Sequence, residues 1–159
     1  MDSNVITPEG YAKLKQEHDH LWYTERPATT KIVQWAASLG DRSENADYQY
    51  NKKKLREIDS RLRFLRNRLD KLRVINYNPA QAGKVFFGAW VTLMDINDNT
   101  LFFRIVGPDE IYGRKDYVSV NAPVARACLG KSEGDEVTVH AAETSKEWEI
   151  VTIQYNLAE

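Results

Sequence analysis

Two apolar series with alternating steps of three and four residues constrain what this chain can fold into. The first series runs through Tyr11, Leu14, His18, Leu21, Glu25, Ala28, Ile32, Trp35 and Leu39. The second runs through Tyr48, Asn51, Leu55, Ile58, Leu62, Leu65, Leu69 and Leu72. This spacing is typical of the buried seam of a coiled-coil helix. Because only a few residues around Gly40 separate the two series, the sequence predicts two helices that turn back on each other as an antiparallel hairpin.

Local signals indicate where the first helix begins, bends and ends. Thr7 followed by Pro8 is a helix start, with a capping hydroxyl before a proline at the first helical position. Pro27 lies inside the apolar pattern and should kink or locally break the helix, because proline lacks a backbone N–H and its ring clashes with the preceding turn. Gly40 is a natural end. No proline or glycine occurs from 41 to 78, so the second helix should be uninterrupted.

After residue 78 the apolar pattern changes to short β-rich runs bounded by turn residues. The runs cover 85–93, 101–106, 117–120, 137–141 and 148–155, and 123–129 reads as one short helix between strands. We therefore expect an α+β protein with two domains. The first, 1–76, is the coiled-coil hairpin with an acidic tip, and the second, 80–159, is a β-sheet domain with one short helix.

Charge is distributed unevenly along the chain. The whole sequence of 159 residues has a formal net charge of −1, but residues 52–73 hold 10 basic and 3 acidic residues. Such a basic segment indicates binding to a polyanion. Cys128 is the only cysteine, which excludes an intrachain disulfide and a cysteine-based zinc site and suits a reducing cytoplasm. No apolar run approaches the length of a membrane span, so we expect a cytoplasmic protein without a membrane partner.

The hairpin tip, residues 40–48, holds three carboxylates within seven residues, and two interpretations stay open. In the first, Asp41 caps the second helix and Glu44, three positions later, closes a capping box. In the second, Asp41 and Glu44 present their oxygens outward to Mg²⁺. Two carboxylates supply only a fraction of the roughly six ligands that Mg²⁺ demands. The tip therefore cannot be a self-contained active site, and another molecule would have to complete the coordination.

The basic residues of the second helix also allow two interpretations. They could pair with acids of the first helix, among them Glu17, Asp19 and Glu25, and serve only the coiled coil. Alternatively, their excess over the acids favours contact with phosphates, with an affinity that falls as salt rises and little sequence preference.

The tip sequence, residues 40–48, resembles the tip signature of the bacterial Gre transcript cleavage factors. Residues 83–91, 104–107, 113–117 and 125–127 resemble the GreB subtype of that family, so the similarity covers nearly the whole chain. The resemblance implies a transcription elongation factor whose coiled coil enters the secondary channel of RNA polymerase. There it stimulates endonucleolytic cleavage of the nascent RNA 3′ end in backtracked complexes. The polymerase does the cutting, so the factor itself is not an enzyme.

Carried onto this chain, the resemblance makes Asp41 and Glu44 the acids that share a Mg²⁺ with the polymerase active site, with no cofactor bound by the factor alone. Ser43 matches a tip hydroxyl that positions RNA or water. The candidate RNA-binding residues are Arg42, Lys52, Lys53, Arg56, Arg61, Arg63, Arg66 and Arg68. The C-terminal domain resembles the FKBP-like fold by which these factors dock on the polymerase, and we expect Asn121, Ala122 and Pro123 to contribute. We expect a monomer.

Two other functions remain compatible with the sequence. One is a regulator of initiation that occupies the same channel without stimulating cleavage. The other is a structural adaptor, a helical rod with a β-rich head, in which the tip carboxylates serve only to cap the helix.

Overall fold

The computed structural model describes residues 3–156. Its contacts divide the chain into a hairpin unit, Tyr11–Leu72, and a sheet unit made of residues 3–10 and 73–156. This division assigns residues 3–10 to the sheet unit, whereas the boundaries drawn from sequence, 1–76 and 80–159, keep them with the hairpin. The reason is a parallel pair of two-residue strands, β1 (Val5–Ile6) and β2 (Arg73–Val74). Within residues 3–156, none of the helices combines the length and the apolar character of a membrane span.

The first arm of the hairpin comprises α1 (Pro8–His20), a π-helical turn (Leu21–Glu25) and α2 (Arg26–Ser38). The predicted start is confirmed, because the Thr7 hydroxyl accepts a hydrogen bond from the Gly10 N–H at 3.0 Å. The predicted end is also confirmed. The α2 helix stops at Ser38, and Gly40 adopts a φ of 104°, a left-handed conformation that glycine tolerates best.

The interruption expected at Pro27 takes the form of the π-helical turn. The Arg26 N–H donates to the Leu21 carbonyl, five residues back rather than four. A π-turn adds one residue to a helix and so shifts every later side chain by one position around the axis. The predicted seam of α2, which ran through Ala28, Ile32, Trp35 and Leu39, is therefore wrong. The buried residues are Thr29, Val33 and Ala36.

The second arm is α3 (Ala46–Lys71), which matches the predicted uninterrupted helix. None of the eight residues of the predicted second seam is exposed, and Ile58, Leu62 and Leu65 pack with Leu21 as the core of the hairpin unit. The buried face of α3 could be predicted from its own sequence, because residues at positions i, i+3 and i+4 lie on the same face of any helix.

The sheet unit contains a five-stranded mixed sheet. The strands are β3 (Trp90–Met94), β4 (Thr100–Val106), β5 (Tyr117–Ser119), β6 (Glu136–Ala141) and β7 (Thr144–Gln154), in the order β5-β4-β3-β7-β6. The β4–β5 pair is parallel, and the other pairs are antiparallel. Single helical turns of 3₁₀ type cover Pro79–Gln81 and Pro108–Glu110. The helix α4 (Pro123–Cys128) lies between β5 and β6 in the chain, as predicted.

The predicted strands are found with shifted ends. Residues 85–89, predicted to start the first strand, are irregular, and Gly88 has a φ of 90°. The last strand begins at Thr144 and not near Trp148, because β6 and β7 form a tight hairpin in which His140 pairs with Ser145. The core between the sheet and α4 includes Phe103, Ile105 and Cys128, each no more than 1% exposed. The predicted α+β class is confirmed.

Glu110 ties the N-terminal strand to the sheet unit. Its carboxylate accepts hydrogen bonds from the Thr7 N–H at 3.0 Å, from the Thr7 hydroxyl and from the Gly107 N–H at 2.8 Å. Beside this site the backbone of Val5 passes so close to Gly107 that a Cβ atom at position 107 would lie 2.0 Å from the Val5 carbonyl oxygen. Only glycine fits there.

Candidate functional site at the hairpin tip

The tip is the loop of Gly40 to Asn45, which lies between Leu39, the C-cap of α2, and the start of α3. Its residues are exposed except Asn45, which is half-buried. Gly40 begins the loop in a left-handed conformation, and Asn45 ends it in an extended one, with φ −93° and ψ 100°. Asp41, Arg42, Ser43 and Glu44 therefore lie outside both helices and face solvent.

Asp41 organises the loop through its own carboxylate. Its Oδ1 atom accepts hydrogen bonds from the Ser43 N–H at 3.0 Å, the Ser43 hydroxyl at 2.8 Å and the Glu44 N–H at 3.4 Å. This side-chain-to-backbone pattern is an Asx turn. The Ser43 hydroxyl and then the two amides lower the pKa of the Asp41 carboxyl below its ordinary value. Asp41 is consequently a carboxylate at neutral pH, and these contacts leave its Oδ2 atom available to a ligand.

The capping-box interpretation of Asp41 and Glu44 is wrong for this helix. The N-cap of α3 is Asn45, whose Oδ1 atom accepts the Tyr48 N–H at 3.1 Å. The Asn45 amide also donates from Nδ2 to the Ala36 carbonyl of α2 at 2.8 Å. Asn45 therefore joins the two arms as well as starting one of them. The sequence signal for it was an Asn directly before the first residue of the uninterrupted helix.

Glu44 follows the Asx turn with an exposed side chain. Among the described residues no group forms a hydrogen bond or ion pair with its carboxylate. The pair of Asp41 and Glu44 thus offers exposed oxygen ligands of the type that Mg²⁺ prefers. Across residues 3–156, however, no group of three or more His, Cys, Asp or Glu residues could hold a metal ion. The donor set fits a shared Mg²⁺ and is too small for a complete site.

Arg42 and the start of α3 brace the other side of the loop. The Arg42 carbonyl accepts a hydrogen bond from Gln49 Nε2 at 2.8 Å, and the Arg42 guanidinium lies 5.5 Å from the centre of the Tyr48 ring. The guanidinium itself remains exposed beside Asp41 and Glu44 in the chain.

Six of the seven predicted RNA-binding cations of α3 fall into two groups. Arg61 donates from Nε to Glu17 at 2.6 Å, and Arg66 donates to His18 Nε2 at 3.0 Å and lies over the Trp22 ring. The interpretation that basic residues pair with the first arm therefore holds for Arg61. The second group forms no ion pair within the part of the chain that the structure describes: Lys52, Lys53, Arg56 and Arg63. We call these four residues the cationic stripe. Arg68 is half-buried.

The predicted docking residues lie in the sheet unit where β5 leads into α4. Ala122 is the N-cap of α4 and Pro123 is its first residue, while the Asn121 N–H donates to the Ser119 hydroxyl at 3.2 Å. Asn121 and Ala122 are half-buried, and Pro123 is exposed.

Comparison with known proteins places both units in one family. Residues 4–74 match the family model described as transcription elongation factor, N-terminal, and residues 80–155 match the model described as transcription elongation factor, GreA/GreB, C-terminal. The chain is 59% identical to a transcription elongation factor GreB of Pseudomonas putida, over 98% of this chain and 96% of that protein. It is 54% identical to a GreB of Vibrio cholerae, over 100% of this chain and 99% of that protein.

A solved structure is similar over most of the chain. The GreA factor homolog 1 (Gfh1) protein of Thermus thermophilus aligns with a TM-score of 0.43 and 23% identity, over 94% of this chain and 97% of that one. By its two matched domain models and its curated relatives, the chain belongs to the GreA/GreB family of transcription elongation factors.

Proposed function

We propose that this protein binds RNA polymerase, inserts the hairpin into the secondary channel and stimulates endonucleolytic cleavage of the backtracked RNA 3′ end. The observation that carries the proposal is the tip itself. An ionised Asp41, held by three hydrogen bonds, stands next to an exposed Glu44 at the end of a two-helix arm. Family membership supports the same function, because the similar proteins are named transcription elongation factors.

The tip enters the active site of the polymerase and supplies part of its metal ligands. Asp41 and Glu44 are both exposed and supply too few ligands for a complete Mg²⁺ site. The polymerase and the RNA phosphates would complete the coordination, so the protein is an activator of the polymerase's own cleavage activity and not an enzyme. When bound there, Mg²⁺ supplies charge stabilisation for hydrolysis of a phosphodiester bond.

The loop geometry explains how the chain's own residues prepare this role. The Asx turn commits Asp41 Oδ1 to the loop and leaves Oδ2 as a metal ligand in a fixed position. The Ser43 hydroxyl donates a hydrogen bond to Asp41, so its oxygen lone pairs can accept a hydrogen bond from water or RNA. Because Asn45 links the loop to both arms, the carboxylates stay in place without the polymerase.

The cationic stripe provides a second contact, with the extruded nascent RNA. Lys52, Lys53, Arg56 and Arg63 extend over about three turns of α3 from the tip end. Their partial or full exposure suits contact with phosphates, which requires no base recognition. Asn121, Ala122 and Pro123 of the sheet unit would dock on the polymerase, and the protein would act as a monomer.

A cleavage assay on stalled, backtracked polymerase with Mg²⁺ tests the proposal. The variants are Asp41→Asn and Glu44→Gln, which remove charge but keep shape, and the asparagine of the first variant retains the oxygen that caps the Asx turn. Loss of one transition-state contact typically costs about 10²–10³-fold in rate, and we expect that loss for each variant with polymerase binding preserved. Asp47→Asn is the matched control, since Asp47 is an exposed acid in the first turn of α3.

Three outcomes would overturn parts of this proposal. Normal cleavage with both Asp41→Asn and Glu44→Gln would remove the tip from the mechanism. Equal loss with Asp47→Asn would mean that net charge matters and not these two ligands. Binding of the unaltered protein to polymerase without cleavage would leave a channel-binding regulator of initiation instead.

A further inference from the structure

The hairpin unit carries an exposed apolar surface close to the tip. Ile32, Trp35, Leu39 and Tyr50 are 41%, 55%, 60% and 68% exposed. We call these four residues the apolar patch. Large exposed side chains that cluster on one surface, Trp and Tyr above all, mark contact with another molecule.

The π-helical turn is the reason that the patch is exposed. Without its extra residue, Ile32, Trp35 and Leu39 would continue the seam of α1 and would be buried against α3. With it, the smaller Thr29, Val33 and Ala36 take the seam. The apolar series of Ile32, Trp35 and Leu39 is therefore exposed to solvent, although its spacing would allow it to form a buried seam.

The apolar patch lies on the flank of the hairpin opposite to Arg56 and Arg63, two cations of the stripe. Two ion pairs mark the flanks: Arg26 with Asp59 on one, and Arg61 with Glu17 on the other. Arg56 and Arg63 lie three residues before and four residues after Asp59, so they share its flank. Tyr50 lies eleven residues, or three helical turns, before Arg61, on the other flank. Ile32 of α2 and Leu39, the C-cap of that helix, lie six and thirteen residues after Arg26, about 120° or more from its direction.

We propose that the apolar patch packs against the polypeptide wall of the polymerase channel and holds the tip in place. This inference rests on the proposed function. Leu39 adjoins Gly40, and Ile32 lies only about 12 Å along the helix from the tip loop. A cavity deep enough to receive the tip would therefore also enclose the patch. The occupant is protein rather than RNA, because Arg56 and Arg63, cations of the stripe that would bind phosphates, lie on the opposite flank.

A triple variant tests this contact. Ile32→Ser, Trp35→Ser and Leu39→Ser together remove the apolar surface of α2 from side chains that are already exposed, and circular dichroism checks that the helices persist. Truncating an interface centred on a tryptophan typically weakens binding at least about tenfold. We expect that increase in Kd for polymerase free of nucleic acid, and cleavage close to normal at saturating concentrations. Tyr23→Ser is the matched control, because Tyr23 is 72% exposed and lies in the π-helical turn, away from the tip.

A photo-reactive phenylalanine at position 35 identifies the occupant directly. Adducts with polymerase subunits support the proposal, and the same group at position 56, in the cationic stripe, should give RNA adducts. Unchanged Kd in the triple variant, loss of binding only when RNA is present, or RNA adducts from position 35 would each overturn the inference. A dimer in sedimentation that the triple variant dissolves would also overturn it, since the occupant would then be a second copy. If the unaltered protein bound no polymerase, the proposed function itself would fail.

Discussion

Replacing Asn45 with alanine should destabilise the hairpin by a predictable amount. The side chain makes two hydrogen bonds, one that caps α3 and one that reaches the Ala36 carbonyl of α2. Loss of an N-cap costs typically about 1 kcal/mol. Loss of a second, partly buried hydrogen bond costs about 1 kcal/mol more. We therefore expect Asn45→Ala to lower the free energy of unfolding by about 2 kcal/mol, and α3 to fray at its first turn.

Asn45→Ser separates the two contributions. Serine is a good N-cap, but it has no amide that could reach Ala36. The serine variant should lose about 1 kcal/mol, roughly half of the effect of alanine. Urea unfolding followed by far-ultraviolet circular dichroism measures both values, because α3 is the longest helix of residues 3–156 and contributes much of the signal.

An Asn45→Ala variant that stays within about 0.5 kcal/mol of the unaltered protein, the usual range for an exposed surface change, would contradict this role of Asn45. In that case the two hydrogen bonds of Asn45 would contribute little to the stability of the hairpin. Equal losses for alanine and serine would show that the cap contributes nothing and that the link to Ala36 carries the whole effect.

Three further predictions concern other parts of the molecule. Gly107→Ala should destabilise the sheet unit by about 2 kcal/mol or more in urea unfolding, because the new methyl group would lie 2.0 Å from the Val5 carbonyl oxygen. Burial raises the pKa of the Cys128 thiol to about 11, so at pH 8 only about 0.1% is thiolate, and mass spectrometry should find slow alkylation by iodoacetamide unless urea is present. Reversing the cationic stripe to glutamate should reduce the salt dependence of RNA retention by up to about 3 in log–log slope, at about 0.7 per phosphate contact, and an unchanged slope would remove the stripe from RNA binding.

The helical hairpin could be predicted because its signals are local. Thr7 and Pro8 start the first arm and Gly40 ends it, and the seam of α3 is read from one face of one helix. The mixed sheet could be predicted as a class from its short apolar runs. The β1–β2 pair could not, because two residues show no period and their partners are far away in the chain.

The seam of α2 was predicted wrongly because two apolar series compete there. Hydrophobicity favours Ile32, Trp35 and Leu39, but the structure buries Thr29, Val33 and Ala36. The difference is one residue, and it is decided where the helix accommodates Pro27. No count of apolar residues reveals whether that accommodation is a kink, which keeps the register, or a π-turn, which shifts it.

At the tip, the exposed acids could be predicted from the sequence, but the predicted N-cap of α3 was the wrong residue. The pattern of Asp41 followed by Glu44 satisfies the capping-box rule, and Asn45 satisfies the simpler N-cap rule. The structure uses Asn45 because the chain needs the residues from Gly40 onward to cross from one arm to the other. Asp41 is left to order the loop, and Glu44 is left without a structural role.

The same register shift has two results: small residues are buried between α2 and α3, and the apolar patch is exposed. The tip depends on the small buried residues. The Asn45 amide donates to the Ala36 carbonyl at 2.8 Å, so α2 and α3 lie close together at their tip ends, where the seam residue is alanine. Trp35 in that position would hold the helices apart and break the link. Burying the larger residues would therefore strengthen the hydrophobic seam but loosen the loop that carries Asp41 and Glu44. The π-helical turn favours a narrow, ordered tip, and the large apolar side chains that it excludes become available to a partner.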